Sequence, residues 1–371
     1  MKIALVHDWF NEAGGAEKVV REILKCYPEA DIYCLFDFFD DKKRGKYLNG
    51  KITTKSYIQH LPFTKKLYRF FFPLFPNAIE KLDLSKYDLI ISSSYCVAKG
   101  IKRHPNQLHI CYCHSPVRYA WDLKEDYLKA VRFPINRIVF SMFLNRLRKW
   151  DKEVSNRVDY FIANSQNVSD RIKQNYNRES VVIYPPVEIE KFSIQEDKSN
   201  YYFTVARLVN YKRIDLIIKA FKQLTHLQLQ IAGYGPNMKR LLKLAPANVN
   251  LLGYIESSVL VNKIKSAKAF VAAANEDFGI TIVEAQACGT PVIVPFLGGY
   301  KETVLDTTGL FYKDQSVESI VNAINEFEKQ NKKYESIDFI NNVTKFNQQR
   351  FHEELMKFVN EAYLKFINGK K

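Results

Sequence analysis

The chain has 371 residues, which is long for one hydrophobic core and predicts two domains. Hydrophobic residues make up 47% and charged residues 26%, a composition typical of a soluble globular protein and not of a disordered or fibrous one. The formal net charge of +15 attracts nucleic acid, anionic lipid surfaces or phosphorylated small molecules, and charge alone does not choose among them.

The first element predicted along the chain is a strand in "KIALVHDW", followed by a helix in "NEAGGAEKVVREILKCY". Gly14 and Gly15 form a glycine turn between the two. Four more apolar runs then alternate with helix-like stretches: "DIYCLF", "YDLIISSS", "LHICYCH" and "YFIANS". Fully apolar runs that alternate with helices predict a parallel sheet covered on both faces.

A break follows at 181–200, where a Pro-Pro pair and a polar run indicate a linker. The alternation restarts in 201–312, and the remaining chain is helical and polar. We therefore predict an α/β fold of two Rossmann-like, doubly wound domains facing a central cleft. The predicted domains are 1–190 and 191–350, with a last helix in 351–371, and ligands are expected at the carboxyl ends of strands.

The six cysteines lie mostly in apolar stretches, and "MKIALVHDW" does not read as a signal peptide. We expect a reducing, cytosolic compartment in which the cysteines are small core residues. "CYCH" at 111–114 suggests a metal site, but no second Cys/His cluster follows at a usual spacing, so no metal is predicted. No apolar run reaches the ~18 residues of a membrane-spanning helix.

In the second domain, "VARLVNYKRID" places Arg207 and Lys212 between a strand and a helix. Two cations at the carboxyl end of a strand suit a diphosphate, although they also suit a solvated surface. "AGYGP" ends the next strand, and its Gly233 and Gly235 would let a ligand approach the backbone. The alternative for this second motif is an ordinary tight turn.

The stretch "EDFGITIVEAQACGTPVIV" contains Glu276 and Glu284. On one helix the two carboxylates would lie about 12 Å apart along the axis, too far for a retaining glycosidase pair at about 5 Å. Phe278 and Gly279 favour a helix that begins near Gly279, whose first N–H groups would face an anion. The alternative is that Glu276 caps this helix and Glu284 faces solvent.

These motifs, in this order, resemble the retaining GT-B glycosyltransferases of family four. That family has the E-x7-E spacing of "EDFGITIVE", a following Gly-Thr-Pro-Val strand, and the Arg-x4-Lys spacing of Arg207 and Lys212. The segment "YPPVEIEKF" resembles its interdomain segment, and Gly14-Gly15 its N-terminal glycine loop. The resemblance covers nearly the whole chain and implies a GT-B fold whose final helix packs back on the N-terminal, acceptor-binding domain.

The resemblance also implies roles for individual residues. Glu284 would bind the nucleotide ribose, Glu276 the hydroxyls of the donor sugar, and Arg207 with Lys212 the diphosphate. The other donor-binding positions that it implies are Gly14, Gly15, Gly233, Gly235, Ile255, Phe278, Gly279, Ile280 and Thr281.

"CYCHSPVRYAWD" follows a strand, which puts His114 at a carboxyl end. A lone histidine is more often structural, but a histidine at this place in the family contacts the donor sugar and is needed for transfer. The resemblance thus gives a catalytic set of His114, Arg207, Lys212 and Glu276. Candidates for the acceptor side are Asp8, Tyr119, Trp121 and Asp122. The motif is most similar to a bacterial subgroup that uses GDP-mannose for surface polysaccharide such as O-antigen.

Two basic aromatic segments, 63–76 and 135–150, allow two interpretations. The apolar residues of 135–150 recur at helical spacing, so this helix packs on the core with a solvated basic face, or it forms a membrane-surface patch. The second interpretation fits an acceptor saccharide carried on undecaprenyl diphosphate and a peripheral location at the inner face of the plasma membrane.

The resemblance therefore implies a retaining, metal-independent glycosyltransferase without a cofactor. Its donor would be GDP-mannose, with a UDP- or dTDP-sugar as the alternative. A nucleic-acid-binding protein is a different possibility, but it rests on charge only, because the cations are dispersed and no nucleic-acid motif is found. An inactive sugar-nucleotide-binding subunit is disfavoured by the intact set of charged residues.

Overall fold

The structure is a computed structural model that describes residues 1–129, 131, 133–330 and 333–369. It divides into two compact units: Met1–Pro186 together with Gln349–Lys371, and Val187–Gln348. The sequence puts the corresponding boundaries after 190 and 350. The first division therefore falls directly after the Pro-Pro pair of the linker segment.

The first unit contains a parallel sheet in the strand order β3-β2-β1-β4-β5-β6-β7. Its strands are β1 (Ile3–His7), β2 (Asp31–Cys34), β3 (Thr53–Lys55), β4 (Leu89–Ser94), β5 (Leu108–Cys113), β6 (Tyr160–Ala163) and β7 (Ser180–Val182). The middle strands are buried along their whole length, because helices cover both faces of the sheet.

The helices of this unit are α1 (Gly15–Cys26), α2 (Asp41–Leu48), α3 (Thr64–Leu67), α4 (Phe75–Glu80), α5 (Lys124–Lys129), α6 (Pro134–Val154) and α7 (Gln166–Tyr176). Helix α1 forms because its apolar residues recur on one face, where Val19, Val20 and Ile23 are buried. Glu17 in its first turn accepts a hydrogen bond from the N–H of Gly14 at 2.8 Å, which caps the helix.

The last helix of the chain, which we number α15 (Gln348–Asn368) after the seven helices of the second unit, packs on this first sheet. Phe351, Leu355 and Val359 are fully buried in the same apolar cluster as α1 and β1. His352 Nε2 lies 2.9 Å from a carboxylate oxygen of the buried Glu22 on α1. The final helix therefore completes the core of the N-terminal unit.

The second unit has a parallel sheet in the order β10-β9-β8-β11-β12-β13. Its strands are β8 (Tyr202–Val205), β9 (Leu229–Ala232), β10 (Val249–Gly253), β11 (Ala269–Val271), β12 (Val292–Pro295) and β13 (Gly309–Tyr312). Its helices are α8 (Ile214–Gln223), α9 (Met238–Leu244), α10 (Ser257–Ser266), α11 (Ile280–Ala287), α12 (Tyr300–Thr303), α13 (Val317–Lys329) and α14 (Ser336–Thr344).

Both sheets reverse their strand order at one place. In the first unit this place lies between β1 and β4, and in the second between β8 and β11. Loops on either side of such a reversal leave the sheet in opposite directions and open a crevice at the carboxyl ends of the strands. The predicted class of two Rossmann-like α/β domains is confirmed, and each unit offers one such crevice.

No helix within the described residues is long and apolar enough to cross a membrane.

Candidate functional site

The reversal between β8 and β11 brings two charged loops together in the second unit. Strands β8 and β11 pair directly, so the loops that follow them start side by side. The first loop carries Lys212 and the second carries Glu276, and the Lys212 ammonium contacts Oε1 of Glu276. The two side chains are 20% and 21% exposed, so both stay accessible to a ligand.

Arg207 lies in the same loop as Lys212 and is exposed. Its guanidinium has no acidic partner in the described part of the chain. An exposed guanidinium five residues before Lys212 is a second cation at this edge, with a planar group of donors that suits phosphate oxygens.

Helix α11 begins where the sequence predicts. Gly279 is its N-cap with φ of 91°, and a Cβ at this position would lie 2.8 Å from the ring of Tyr300. Ile282 already donates to the Gly279 carbonyl at 2.9 Å, so the amides of Gly279, Ile280 and Thr281 precede the first helical bond. Such amides, with the helix dipole behind them, favour an anion.

The two glutamates of this motif differ in their surroundings. Within the described residues, the Glu276 carboxylate accepts from Lys212 and makes no hydrogen bond to the amides at the start of α11. The alternative in which Glu276 caps the helix is therefore wrong. Glu284 lies one turn inside α11 and is half-buried beside the buried Ile282 and Val283. Phe278 between the glutamates is buried against Phe346 and fixes the start of the helix.

Gly233 and Gly235, predicted to allow a ligand near the backbone, lie against the loop that follows β8. A Cβ on Gly233 would lie 1.9 Å from the Ala206 carbonyl oxygen, and one on Gly235 would lie 2.6 Å from that of Leu208. The space beside both glycines is thus filled by the loop that carries Arg207. Their lack of a side chain lets the two loops pack backbone to backbone, and this packing positions Arg207.

Ile255 follows β10 at the same carboxyl edge of the sheet. Its side chain is half-buried and packs against the apolar cluster that includes Phe203 and Ala232.

His114 in the first unit directly follows β5 and is 9% exposed. Its backbone N–H donates to the Ser94 carbonyl at 2.9 Å, and its Nε2 lies 2.8 Å from Oγ of Ser93 on β4. Burial, and secondarily the neighbouring His7, lowers the pKa of His114 to about 3. The imidazole is therefore neutral near pH 7 and acts as a hydrogen-bonding group.

The glycine loop of the first unit lies at the start of α1, where Gly15 is the first helical residue. The N–H of Gly14 is bound by Glu17, so this amide is already engaged within the loop.

Asp8, a candidate for the acceptor side, directly follows β1. Asp8 is fully buried, and its carboxylate accepts four backbone N–H bonds of 2.6–2.9 Å. The donors are the amides of Tyr95, Cys96, Val97 and Ala98 in the turn after β4. Burial raises the pKa of Asp8, and these bonds oppose that rise. Asp8 ties the end of β1 to this turn and is closed to a ligand.

The other three acceptor-side candidates are also engaged within the first unit. The Tyr119 hydroxyl donates to the Cys96 sulfur, and Asp122 forms an ion pair with Arg171. Trp121 Nε1 donates to Asp151 at 2.8 Å. Asp151 in turn forms a fully buried ion pair with Lys99 at 2.5 Å. These contacts hold the loop after His114, and they leave the side-chain polar atoms of Tyr119 and Trp121 committed to protein.

Three residues that the sequence did not single out form a buried chain of polar contacts that ends at His114: Glu17, His7 and Ser93. Glu17 Oε1 lies 3.5 Å from His7 Nε2, and His7 Nδ1 lies 3.1 Å from Ser93 Oγ. The available signal was "IISSS", in which hydroxyls end an otherwise apolar buried strand. Their partners are far away in sequence, so the signal did not identify them.

Cys111 and Cys113 are buried free thiols in β5. Within the ranges that the structure describes, no three His, Cys, Asp or Glu side chains lie close enough together to hold a metal ion.

Two sequence-family models match successive parts of the chain. Residues 13–191 match Glycosyltransferase Family 4, and residues 186–345 match Glycosyl transferases group 1. Among solved structures, the sucrose-phosphate synthase of Thermosynechococcus elongatus has a TM-score of 0.74 at 16% identity, over 98% of this chain and 100% of the other. Anabaena HepE in complex with UDP has a TM-score of 0.71 at 18% identity, over 97% and 100%.

The proteins that are similar in sequence align with only about half of this chain and half of their own length. A GDP-mannose-dependent monoacylated alpha-(1-6)-phosphatidylinositol monomannoside mannosyltransferase of Corynebacterium glutamicum is 30% identical over 46% of this chain and 52% of its own. A D-inositol 3-phosphate glycosyltransferase of Mycobacteroides abscessus is 24% identical over 47% and 46%. The chain thus spans about half the length of the curated relatives that it matches.

The two parallel-sheet units define the fold class of the GT-B glycosyltransferases. Within that class, the two family models together assign the chain to the group 1 and family 4 glycosyltransferases.

The depressed pKa of His114 predicts a pH dependence of stability. An unfolded histidine has a pKa of about 6.5, so between pH 6.5 and 3 the unfolded chain binds a proton that the folded chain excludes. Stability from this group is therefore lost as the pH falls. Between pH 7 and pH 5, His114→Gln should lose less unfolding free energy in urea than the wild type, by up to about 2 kcal/mol.

His109 is also fully buried, and burial lowers its pKa to about 3. His109→Gln should likewise reduce the loss of unfolding free energy between pH 7 and pH 5, although His109 lies outside the site. Equal losses in the wild type and in both variants would contradict this prediction.

Proposed function

We propose that this chain is a retaining, metal-independent glycosyltransferase that moves mannose from GDP-mannose to a lipid-linked saccharide. The observation that carries the proposal is the contact of Lys212 with Glu276 at the β8–β11 reversal, beside the N-terminus of α11. Cations that suit a diphosphate and a carboxylate that suits sugar hydroxyls then lie at one carboxyl edge.

Binding of the donor exchanges partners at this edge. The diphosphate takes the Lys212 ammonium from Glu276 and also binds Arg207 and the first amides of α11. Glu276, released from Lys212, accepts hydrogen bonds from hydroxyls of the transferred sugar, and Glu284 accepts them from the ribose. The position of Glu284 one turn inside α11 supports this division of roles.

In the reaction, the bond from the anomeric carbon to the diphosphate oxygen breaks through an oxocarbenium-like state. Arg207, Lys212 and the amides of α11 stabilise the negative charge that develops on the leaving group. The leaving phosphate takes the proton of the acceptor hydroxyl, and that hydroxyl oxygen bonds to the same face of the sugar. The neutral His114 contributes a hydrogen bond to a hydroxyl of the donor sugar.

The mannose donor is supported by the motif that follows His114 and by the name of the Corynebacterium relative. The second candidate is a UDP-sugar, because HepE was solved with UDP and with UDP-glucose. The two candidates would use every charged residue above, and they differ in the base and in the transferred sugar.

A thermal-shift panel of GDP, UDP, dTDP and ADP, followed by hydrolysis of the matching sugar nucleotide, separates these donors. At 100 times its Kd, the cognate nucleotide adds about 2.7 kcal/mol to the stability of the folded state. We expect the largest shift with GDP. A shift with UDP and none with GDP overturns the mannose donor, and no shift with any nucleotide overturns the proposed function.

Lys212→Ala should lower kcat by about 10²-fold or more, because it removes charge stabilisation from the transition state. Lys219→Ala is the matched control, since this lysine is exposed on α8 in the same unit. Normal turnover in folded Lys212→Ala would refute the role of Lys212.

The predicted basic aromatic segments support a membrane-linked acceptor. Helix α6 leaves a stripe of four apolar residues 61–75% exposed: Ile135, Ile138, Val139 and Met142. Farther along α6, Leu147 is buried, so core packing explains only that half of the helix. Phe143 contacts Phe72 of the other segment at 5.1 Å between ring centroids, which joins the two segments.

Basic side chains surround this stripe. Arg137, Arg146 and Lys149 are exposed on α6, and the segment joined to it exposes Lys65, Lys66 and Arg69. An apolar stripe among cations matches the interface of an anionic bilayer, where the apolar residues enter the acyl boundary and the cations face lipid head groups. This arrangement supports a peripheral position at a membrane that carries the acceptor.

Sedimentation with vesicles of anionic phospholipid tests this part of the proposal. The wild type should bind at low salt and less at high salt, because cations supply part of the affinity. Ile138→Asp with Met142→Asp should reduce binding at low salt. The control is Val259→Asp, an exposed apolar position on α10. Equal binding by the wild type, the double variant and the control would contradict the assigned surface.

A further inference from the structure

We propose that Ser93 is a positioning residue that fixes the imidazole of His114 in the tautomer with its proton on Nδ1. This inference rests on the proposed function for its consequence in catalysis, whereas the tautomer itself follows from hydrogen bonds within the first unit. Glu17, His7, Ser93 and His114 form a buried chain of polar groups.

Ser93 stands between two imidazoles. It pairs with His7 on β1 and with Tyr112 on β5, one strand on each side. Its hydroxyl oxygen lies 3.1 Å from His7 Nδ1 and 2.8 Å from His114 Nε2, and it is fully buried. Across the described residues, the Ser93 hydroxyl has these two hydrogen-bond partners and no other, so its single proton points to one of the two rings.

The backbone decides which ring receives that proton. His7 Nδ1 also lies 3.1 Å from the carbonyl oxygen of Ser93. A carbonyl oxygen only accepts hydrogen bonds, so His7 Nδ1 carries a proton and donates toward Ser93. A protonated nitrogen cannot accept from the Ser93 hydroxyl. The hydroxyl therefore donates to His114 Nε2 at 2.8 Å.

The state of His114 follows from this bond. Its imidazole is neutral near pH 7 and carries one proton. Because Nε2 accepts from Ser93, that proton is on Nδ1. Among the described residues, His114 Nδ1 has no hydrogen-bond partner, and it is not one of the buried side-chain atoms left without a partner, so this N–H keeps some exposure and can donate to a ligand. His114 thus offers a donor to an oxygen of the substrate, and it does not act as a base through this nitrogen.

The far end of the chain reaches the glycine loop. Glu17 Oε1 lies 3.5 Å from His7 Nε2, and its other oxygen accepts from the N–H of Gly14 at 2.8 Å. The rings of Phe10 and Tyr95 pack on His7 and hold its plane. The helix cap at Gly14 and the orientation of His114 are therefore connected through a chain of polar contacts of 2.8–3.5 Å.

The same sheet provides a matched control. Ser92 precedes Ser93 on β4, so its side chain points to the opposite face of the sheet. Its Oγ lies 2.8 Å from Nε2 of the buried His109, at the same distance as the Ser93–His114 pair. Ser92→Ala thus removes an equivalent buried serine–histidine bond away from His114.

The test is a two-bond ¹⁵N–¹H correlation spectrum of the histidine rings in the full-length protein, with His114→Gln to assign its signals. In the wild type we expect the His114 proton on Nδ1 and a hydrogen-bonded, unprotonated Nε2. In Ser93→Ala both tautomers should be populated, whereas Ser92→Ala should leave His114 unchanged. A wild-type proton on Nε2 overturns the inference, whether or not the protein transfers a sugar.

Turnover supplies the second readout. With the cognate donor, Ser93→Ala should lower kcat about tenfold, the usual effect of one lost hydrogen bond, without changing the Kd of the nucleoside diphosphate. Ser92→Ala should retain the wild-type kcat. Equal kcat values for the two alanine variants, with the predicted tautomer in the spectrum, would overturn the positioning role. Absence of transfer by the wild type would refute the proposed function and leave the tautomer result standing.

Discussion

The candidate site depends on one constraint, the direct pairing of β8 with β11. These strands are adjacent in space but separated by about 60 residues in sequence, and their pairing aligns the loops that follow them. The loop after β8 supplies the two cations, and the loop after β11 supplies Glu276 and the start of α11. Without this reversal of strand order, the charged residues would have no common edge.

Much of the second-unit site was predictable because its signals are local. The sequence predicts a helix that begins near Gly279, because a glycine there is followed within ten residues by apolar residues at helical spacing. The structure places the N-cap of α11 at Gly279. The contact between Lys212 and Glu276 was not predictable from those signals, since it requires the strand order. The close packing of Gly233 was not predictable from local signals either, because Gly233 packs against Ala206, which lies in the loop after β8.

In the first unit, the roles of the key residues were not predictable from local sequence signals. A carboxylate at the end of β1 has the pattern of a ligand-binding residue, yet Asp8 is enclosed by amides from a turn almost ninety residues later. Ser93 has the pattern of an ordinary strand residue, yet it lies between two histidines. Burial and strand pairing decide between a binding role and a structural role here, and neither is visible in a single sequence.

The proposed function requires that the carboxyl edge of the second sheet binds the diphosphate of a nucleotide. Isothermal titration of the wild type with a nucleoside diphosphate and with the monophosphate of the same base measures this directly. We predict that the diphosphate binds at least about tenfold more tightly, because each charged hydrogen bond that its second phosphate gains is worth about 1.5 kcal/mol or more. Equal affinities would contradict the claim.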